Sequence, residues 1–236
     1  MVIMELIKEN WTKREGEEFV AYLEKLAVPE KQNWTRKIIN TNMPLLAIPT
    51  PKLKEIAKVI SKGNYEGFLQ LNLTKYYENV AINGFLLSEI KDFNKFRAYL
   101  MQYVKSVDNW ANCDLLQFKV SKNNEEELFN LSRELFGSKE PFVRRIGVRI
   151  WFEYILTKRL DTIFNLINNK QEDEYYVNMC VAWFVSECFI KQREKTLQFL
   201  ENNNLNKFTI NKAISKCHDS YRVSGQDKVM LKKFKK

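Results

Sequence analysis

The sequence predicts an all-α protein, an α-solenoid of tandem helix pairs, and three observations carry that prediction. Turn residues are scarce, with 7 Gly and 5 Pro in 236 residues, less than half the usual share of about 12%. Sheets built from many tight turns would lack the residues those turns need. Apolar residues recur at three- and four-residue spacing in nearly every segment. The chain also repeats itself: EPFVRRIGVRIWFEYI from Glu140 and EYYVNMCVAWFVSECF from Glu174 align at an offset of 34 residues, and the following DTIFNLINN aligns with KTLQFLENN.

In chain order, Phe19, Tyr22, Leu23 and Leu26 form the first apolar stripe, ended before Pro29. The proline-bearing stretch 44–51 separates it from a second stripe, Leu53, Ile56, Ala57 and Ile60, which closes at Asn64. KYYENVAINGFLLSEI from Lys75 reads as a long aromatic-fronted helix. Its partner carries Phe96, Tyr99, Leu100 and Tyr103 beyond a break near Asp92 and Asn94. Further breaks at Gly137, Ser138 and residues 168–173 divide the rest, for about a dozen helices in all. Stacked pairs of this kind are expected to form one domain over residues 1–236, curved, with equivalent helices lining a concave face.

Composition bounds the partners. Lys and Arg number 38 against 29 Asp and Glu, a formal charge of +9 that suits a polyanion. More than half of that excess lies in a basic tail, residues 228–236, with five lysines and no acid. Cys113, Cys180, Cys188 and Cys217 show no CxxC spacing and are expected as reduced thiols buried between helices. His218 is the only histidine and reads as a helix-surface residue, so no multi-histidine metal site is expected. Glycine loops for nucleotides are absent, and no cofactor is expected. Charges at Glu5, Lys8, Glu9 and Lys13 break up residues 1–13 as an apolar signal core. No run approaches the roughly 20 apolar residues of a membrane span. A cytoplasmic monomer without a membrane partner is the expectation.

Three constellations could carry chemistry. In DNWANCDLL, Asp108 or Asn109 can cap a helix that sets Trp110 and Asp114 one turn apart on one face. Either Trp110 packs in the core with Asp114 solvated or bonded to a neighbour, or the two act together; a carboxylate in so apolar a run needs a partner or a task. In FVRRIGVRIW, Arg145 and Arg149 share a face while Arg144 points elsewhere. The guanidinium pair suits phosphate oxygens or a buried carboxylate, and equally a solvated face with ordinary ion pairs. Trp183, among apolar neighbours in YYVNMCVAWFVSECF, reads by periodicity as a core residue.

Taken together, IPTPKLKEIAK from Ile48, NWANCD from Asn109, FVRRIGV from Phe142, YYVNMCVAWFVSE from Tyr175 and NKAISKCHDSYRVSGQDK from Asn211 resemble the DNA alkylation repair glycosylases of the AlkD type. Those proteins are built from HEAT-like helical repeats. The resemblance implies excision of cationic N3- or N7-alkylated purines from double-stranded DNA, the lesion staying in the duplex instead of being flipped into a pocket. It implies a site of Asp114, Trp110 and Trp183, with Arg145 as a groove arginine and Arg149 and Arg144 as further DNA-binding candidates. The carboxylate would stabilise an oxocarbenium-like sugar while the indoles hold it. Two positions depart from the family: Ile38 stands where it has a tyrosine, and Ser186 or Glu187 where it has an arginine.

The rival reading is a non-catalytic helical-repeat scaffold that binds DNA or protein through the same face. An RNA-reading repeat protein would need a regular pair of base-reading side chains in each repeat, which the 34-residue offset does not supply.

Overall fold

The computed structural model describes residues 5–236, so residues 1–4 of the charged N-terminal segment lie outside it. The described residues form fourteen α-helices and no strand. They fall into two compact units, one ending at Lys119 and the other beginning at Val120.

The first unit contains α1 (Lys13–Glu24), α2 (Pro29–Ile39), α3 (Thr50–Ile60), α4 (Tyr65–Gln70), α5 (Tyr77–Leu87), α6 (Phe93–Tyr103) and the short α7 (Trp110–Asp114). Helix starts follow local chemistry. Thr12 and Glu15 close a reciprocal capping box on α1, Asn64 caps α4 through the Gly67 N–H at 2.9 Å, and Asp92 caps α6 through the Lys95 N–H at 2.8 Å. Pro29 is the first residue of α2, where a missing N–H costs nothing. The core of this unit is aromatic, with Phe68 edge-on to both Trp11 and Phe19 at 4.9 Å.

A buried carboxylate organises the proline-bearing stretch. Glu78 on α5 is fully buried, and its oxygens accept the Leu46 N–H at 3.0 and 3.1 Å and the Ile48 N–H at 3.3 Å. Between them Ala47 sits at φ 59°, a left-handed conformation that a non-glycine residue adopts only when its surroundings enforce it. Burial raises the Glu78 pKa above its ordinary value, and the N–H groups of Leu46, Ile48 and Ala47 act against that rise.

The second unit contains α8 (Glu125–Phe136), α9 (Pro141–Trp151), α10 (Leu160–Asn168), α11 (Tyr175–Lys191), α12 (Arg193–Glu201), α13 (Lys207–Asp219) and α14 (Gly225–Leu231). Here the internal repeat becomes geometry. Glu140 and Glu174 are the N-cap residues of α9 and α11, and α10 and α12 follow them as the shorter partners. Helix α11 packs against α9 on one side and α13 on the other, so successive repeats stack. Trp151 is fully buried and donates to the Ser132 hydroxyl at 2.8 Å, tying α9 to α8. Gly147 lets these helices close: a Cβ there would lie 2.8 Å from both the Phe136 nitrogen and the Ser132 carbonyl oxygen.

The four cysteines are buried, as their neighbours suggest, and burial pushes the Cys217 thiol up to about 12. His218 corrects the surface reading: it is half-buried, with a shielded Nε2 that has no hydrogen-bond partner among the described residues. No helix of the described residues is long and apolar enough to cross a membrane.

Candidate functional site

In the first unit the site is set up by the residues around the start of α7. Of the two candidate caps, Asn109 takes the role: it is fully buried, and its side chain accepts the Asn112 N–H at 2.9 Å. Asp108 is released for a different task. Its carboxylate accepts the Thr41 hydroxyl at 2.7 and 2.9 Å and the Asn42 N–H at 2.8 Å, and it also accepts the Asn109 side-chain amide at 2.9 Å. The turn between α2 and α3 is thereby fastened to the start of α7. Arg36 secures that turn from the other side, donating to the carbonyls of Thr41 at 2.8 Å and Met43 at 2.9 Å.

That fastening fixes Trp110. Its indole N–H donates to the Ile38 carbonyl at 3.0 Å, near the end of α2. Trp110 is half-buried, so of the two alternatives the core-packed one does not hold. Asp114, at the other end of the five-residue helix, is also half-buried and shares a face with Trp110. Behind them, Tyr103 donates to the Asn112 carbonyl at 2.8 Å. Gly84 on α5 leaves the space that Leu115 and Tyr103 occupy, since a Cβ there would come within 2.4 Å of Leu115 Cδ1 and 2.7 Å of the tyrosine oxygen. An indole and a carboxylate are thus held side by side with solvent access.

In the second unit the arginines divide their tasks. Arg144 is 8% exposed and forms a two-pronged pair with Glu172 at 2.8 and 3.1 Å, while also donating to the Ser138 and Lys139 carbonyls. It locks the turn before α9 to the loop before α11. Arg145 is 5% exposed and donates to the Tyr176 carbonyl on α11. A solvated face is therefore ruled out for Arg145. Arg149 is half-buried, with its Cζ 4.5 Å from the ring centroid of Phe152 and 4.7 Å from that of Trp183.

Trp183 corrects the periodicity argument. It is half-buried, not core, and lies 4.6 Å from Phe152 at an interplanar angle of 59°. Its neighbours Ala182 and Phe184 fill the core on either side of it along α11. One turn further on, Ser186 turns its hydroxyl back to the Trp183 carbonyl at 2.7 Å, and Glu187 pairs with Arg222.

Trp110 and Asp114 stand at the two ends of α7, one turn apart on one face, as their spacing predicts. Arg149 and Trp183 form a second constellation in the other unit, a contact that the sequence reading did not anticipate. The spacing of Arg149 and Phe152, three residues apart on one helix face, was the available signal for the aromatic side of that contact. Asp108 and Glu78 were also missed as organising carboxylates; for Glu78 the signal was a lone acid in the apolar run YENVAINGFLL.

The family model described as DNA alkylation repair enzyme matches residues 19–217, from within α1 to within α13. No curated protein and no solved structure matches the chain.

Proposed function

Because the chain belongs to the DNA alkylation repair enzyme family, we propose that it is a DNA glycosylase that excises cationic N3- or N7-alkylated purines from duplex DNA without flipping the base. The observation that carries this reading is the arrangement on α7: a half-buried carboxylate, Asp114, one turn from an indole, Trp110, that the Ile38 carbonyl holds in place. The +9 charge of the chain suits the polyanionic substrate.

An alkylated purine carries a positive charge and departs as a neutral base when the glycosidic bond breaks, taking the bonding electron pair with it. The sugar is left as an oxocarbenium ion, and the protein's task is to stabilise that cation. Asp114 supplies negative charge beside C1′ and orients a water molecule that adds there, its proton passing to the carboxylate and on to solvent. Trp110 holds the deoxyribose by ring-face contact, which attracts positive charge, and Trp183 offers a separate ring contact to DNA from the second unit. Arg144 and Arg145 contribute by securing α9 to the neighbouring loop and to α11, and Arg149 by bracing Trp183.

The test is release of free base from duplex DNA carrying a single N7-methylguanine, compared with Asp114→Asn and with an enzyme-free control for spontaneous depurination. Release above the control that disappears in Asp114→Asn, with DNA binding retained, is the expected result. Release at the control rate from the native protein would leave a DNA-binding scaffold instead.

A further inference from the structure

The exposed face of α2 holds a large apolar residue that nothing among the described residues covers. Trp34 is 66% exposed and Ile38, one turn further along the same face, is 45% exposed. Indoles are rarely left this bare on a surface without a partner. Lys31 and Lys37, three residues before and after Trp34, are both exposed, and neither takes part in an ion pair among the described residues. With Arg36, three cations stand against the single acid Glu30 on this helix.

We propose that this face of α2 is a second contact surface for duplex DNA. Lys31 and Lys37 take phosphates of one strand, and Trp34 and Ile38 press against its deoxyribose rings and base edges. The proposal rests on the glycosylase reading for its choice of partner. Two observations favour DNA over a protein partner. The charge flanking the indole is complementary to phosphate, and the two lysines are about 9 Å apart along the helix axis, the axial span of two to three phosphates of one strand. The face is also continuous with the candidate site, because the residue that exposes its side chain here, Ile38, is the one whose carbonyl holds the Trp110 indole at 3.0 Å. A strand lying along Trp110 would therefore meet α2 next. An apolar ring flanked by cations suits this role, since ring contact with nucleotides is tolerant of sequence while the lysines supply affinity through the backbone.

The experiment measures the affinity of the full chain for an undamaged fluorescein-labelled duplex by anisotropy over a range of salt concentrations. Native protein, Trp34→Ala, Trp34→Phe and the double variant Lys31→Gln/Lys37→Gln are compared, with base release from the N7-methylguanine duplex followed in parallel. Trp34→Ala should weaken binding about tenfold without changing the salt slope, and Trp34→Phe should recover most of the loss. The double lysine variant should reduce the slope of log Kd against log salt by about 2. Trp34 is exposed, so its variants should melt with the native protein, and a melting curve checks this. Binding by Trp34→Ala within twofold of native would overturn the proposal, as would a native dimer that Trp34→Ala converts to monomer. Trp34-dependent binding without base release would keep this surface and remove the glycosylase reading. Asp114-dependent release with Trp34-independent binding would do the reverse, and absence of any DNA binding by the native protein would end both.

Discussion

The guanidinium carbon of Arg149 lies 4.7 Å from the ring centroid of Trp183, and the same guanidinium is 4.5 Å from Phe152. A cation packed against two aromatic rings that also touch each other, their centroids 4.6 Å apart, restricts both, because displacing either one loses a cation–π contact of about 0.5–2 kcal/mol. Arg149 thus acts on Trp183 as a brace. Replacing it with methionine keeps the apolar stem and removes the charge. Arg149→Met should lower stability by about 1 kcal/mol, read as a shift in thermal midpoint, and should reduce excision several-fold. Arg149→Lys should rescue only part of this, since an ammonium cannot stack as a planar guanidinium does. Excision by Arg149→Met equal to native would remove the brace from the mechanism.

Asp108 accepts from Thr41, Asn42 and Asn109 with both oxygens. An asparagine there would turn an amide N–H toward one of those donors, at a cost of about 1–3 kcal/mol. The turn between α2 and α3 would loosen, and with it the Ile38 carbonyl that holds Trp110. Asp108→Asn should fold, melt several degrees lower and, with Trp110 less firmly held, excise N7-methylguanine about tenfold more slowly. An unchanged rate in a folded Asp108→Asn protein would separate this anchor from the site.

Gly147→Ala tests the seam between α8 and α9. The added methyl would meet backbone atoms of Ser132 and Phe136 at 2.8 Å, and backbone cannot swing aside as a flexible side chain can. Overpacking of this kind costs about 1–3 kcal/mol, so the variant should show a clear drop in its denaturant midpoint. Gly137→Ala is the control, because the nearest atom to its added Cβ is at 3.3 Å and the residue is exposed. Equal midpoints for the two variants would contradict the packing argument.

Glu78 predicts a pH dependence with a definite sign. Burial raises its pKa in the folded protein above the ordinary value of 4.5, so the folded state binds this proton more tightly than the unfolded chain does. The stability it contributes is fully present below the unfolded value and declines as pH rises from 4.5 through the raised folded value. Glu78→Gln abolishes this titration and, with its oxygen kept toward Ile48, turns its amide nitrogen against the Leu46 N–H that Oε2 accepts. The variant should be less stable at acid pH by about 1–3 kcal/mol, and the gap from native should narrow as pH increases. Urea titrations across this range measure it, and a gap that widened with pH would reverse the assignment.

Helix boundaries, the 34-residue repeat and the shared face of Trp110 and Asp114 were all legible in the sequence. Each depends on short-range rules, among them capping by Asn64, Asp92 and Asn109 and the 3.6-residue period that sets an i, i+4 pair on one face. The matching helix starts at Glu140 and Glu174 came from the same local code repeated. What only the tertiary structure decided were the environments of side chains whose partners come from elsewhere in the chain. Periodicity assigned Trp183 to the core because it counts apolar neighbours along α11, but its exposure is set by Phe152 and Arg149. The sequence placed Arg144 off the Arg145 and Arg149 face as a DNA-binding candidate without its partner Glu172, and left Asp108 as one of two candidate caps without the Thr41 turn that its carboxylate holds. The reason is physical: whether a polar group is buried depends on whether its hydrogen bonds are met, and those partners lie tens of residues away, beyond the reach of any local pattern.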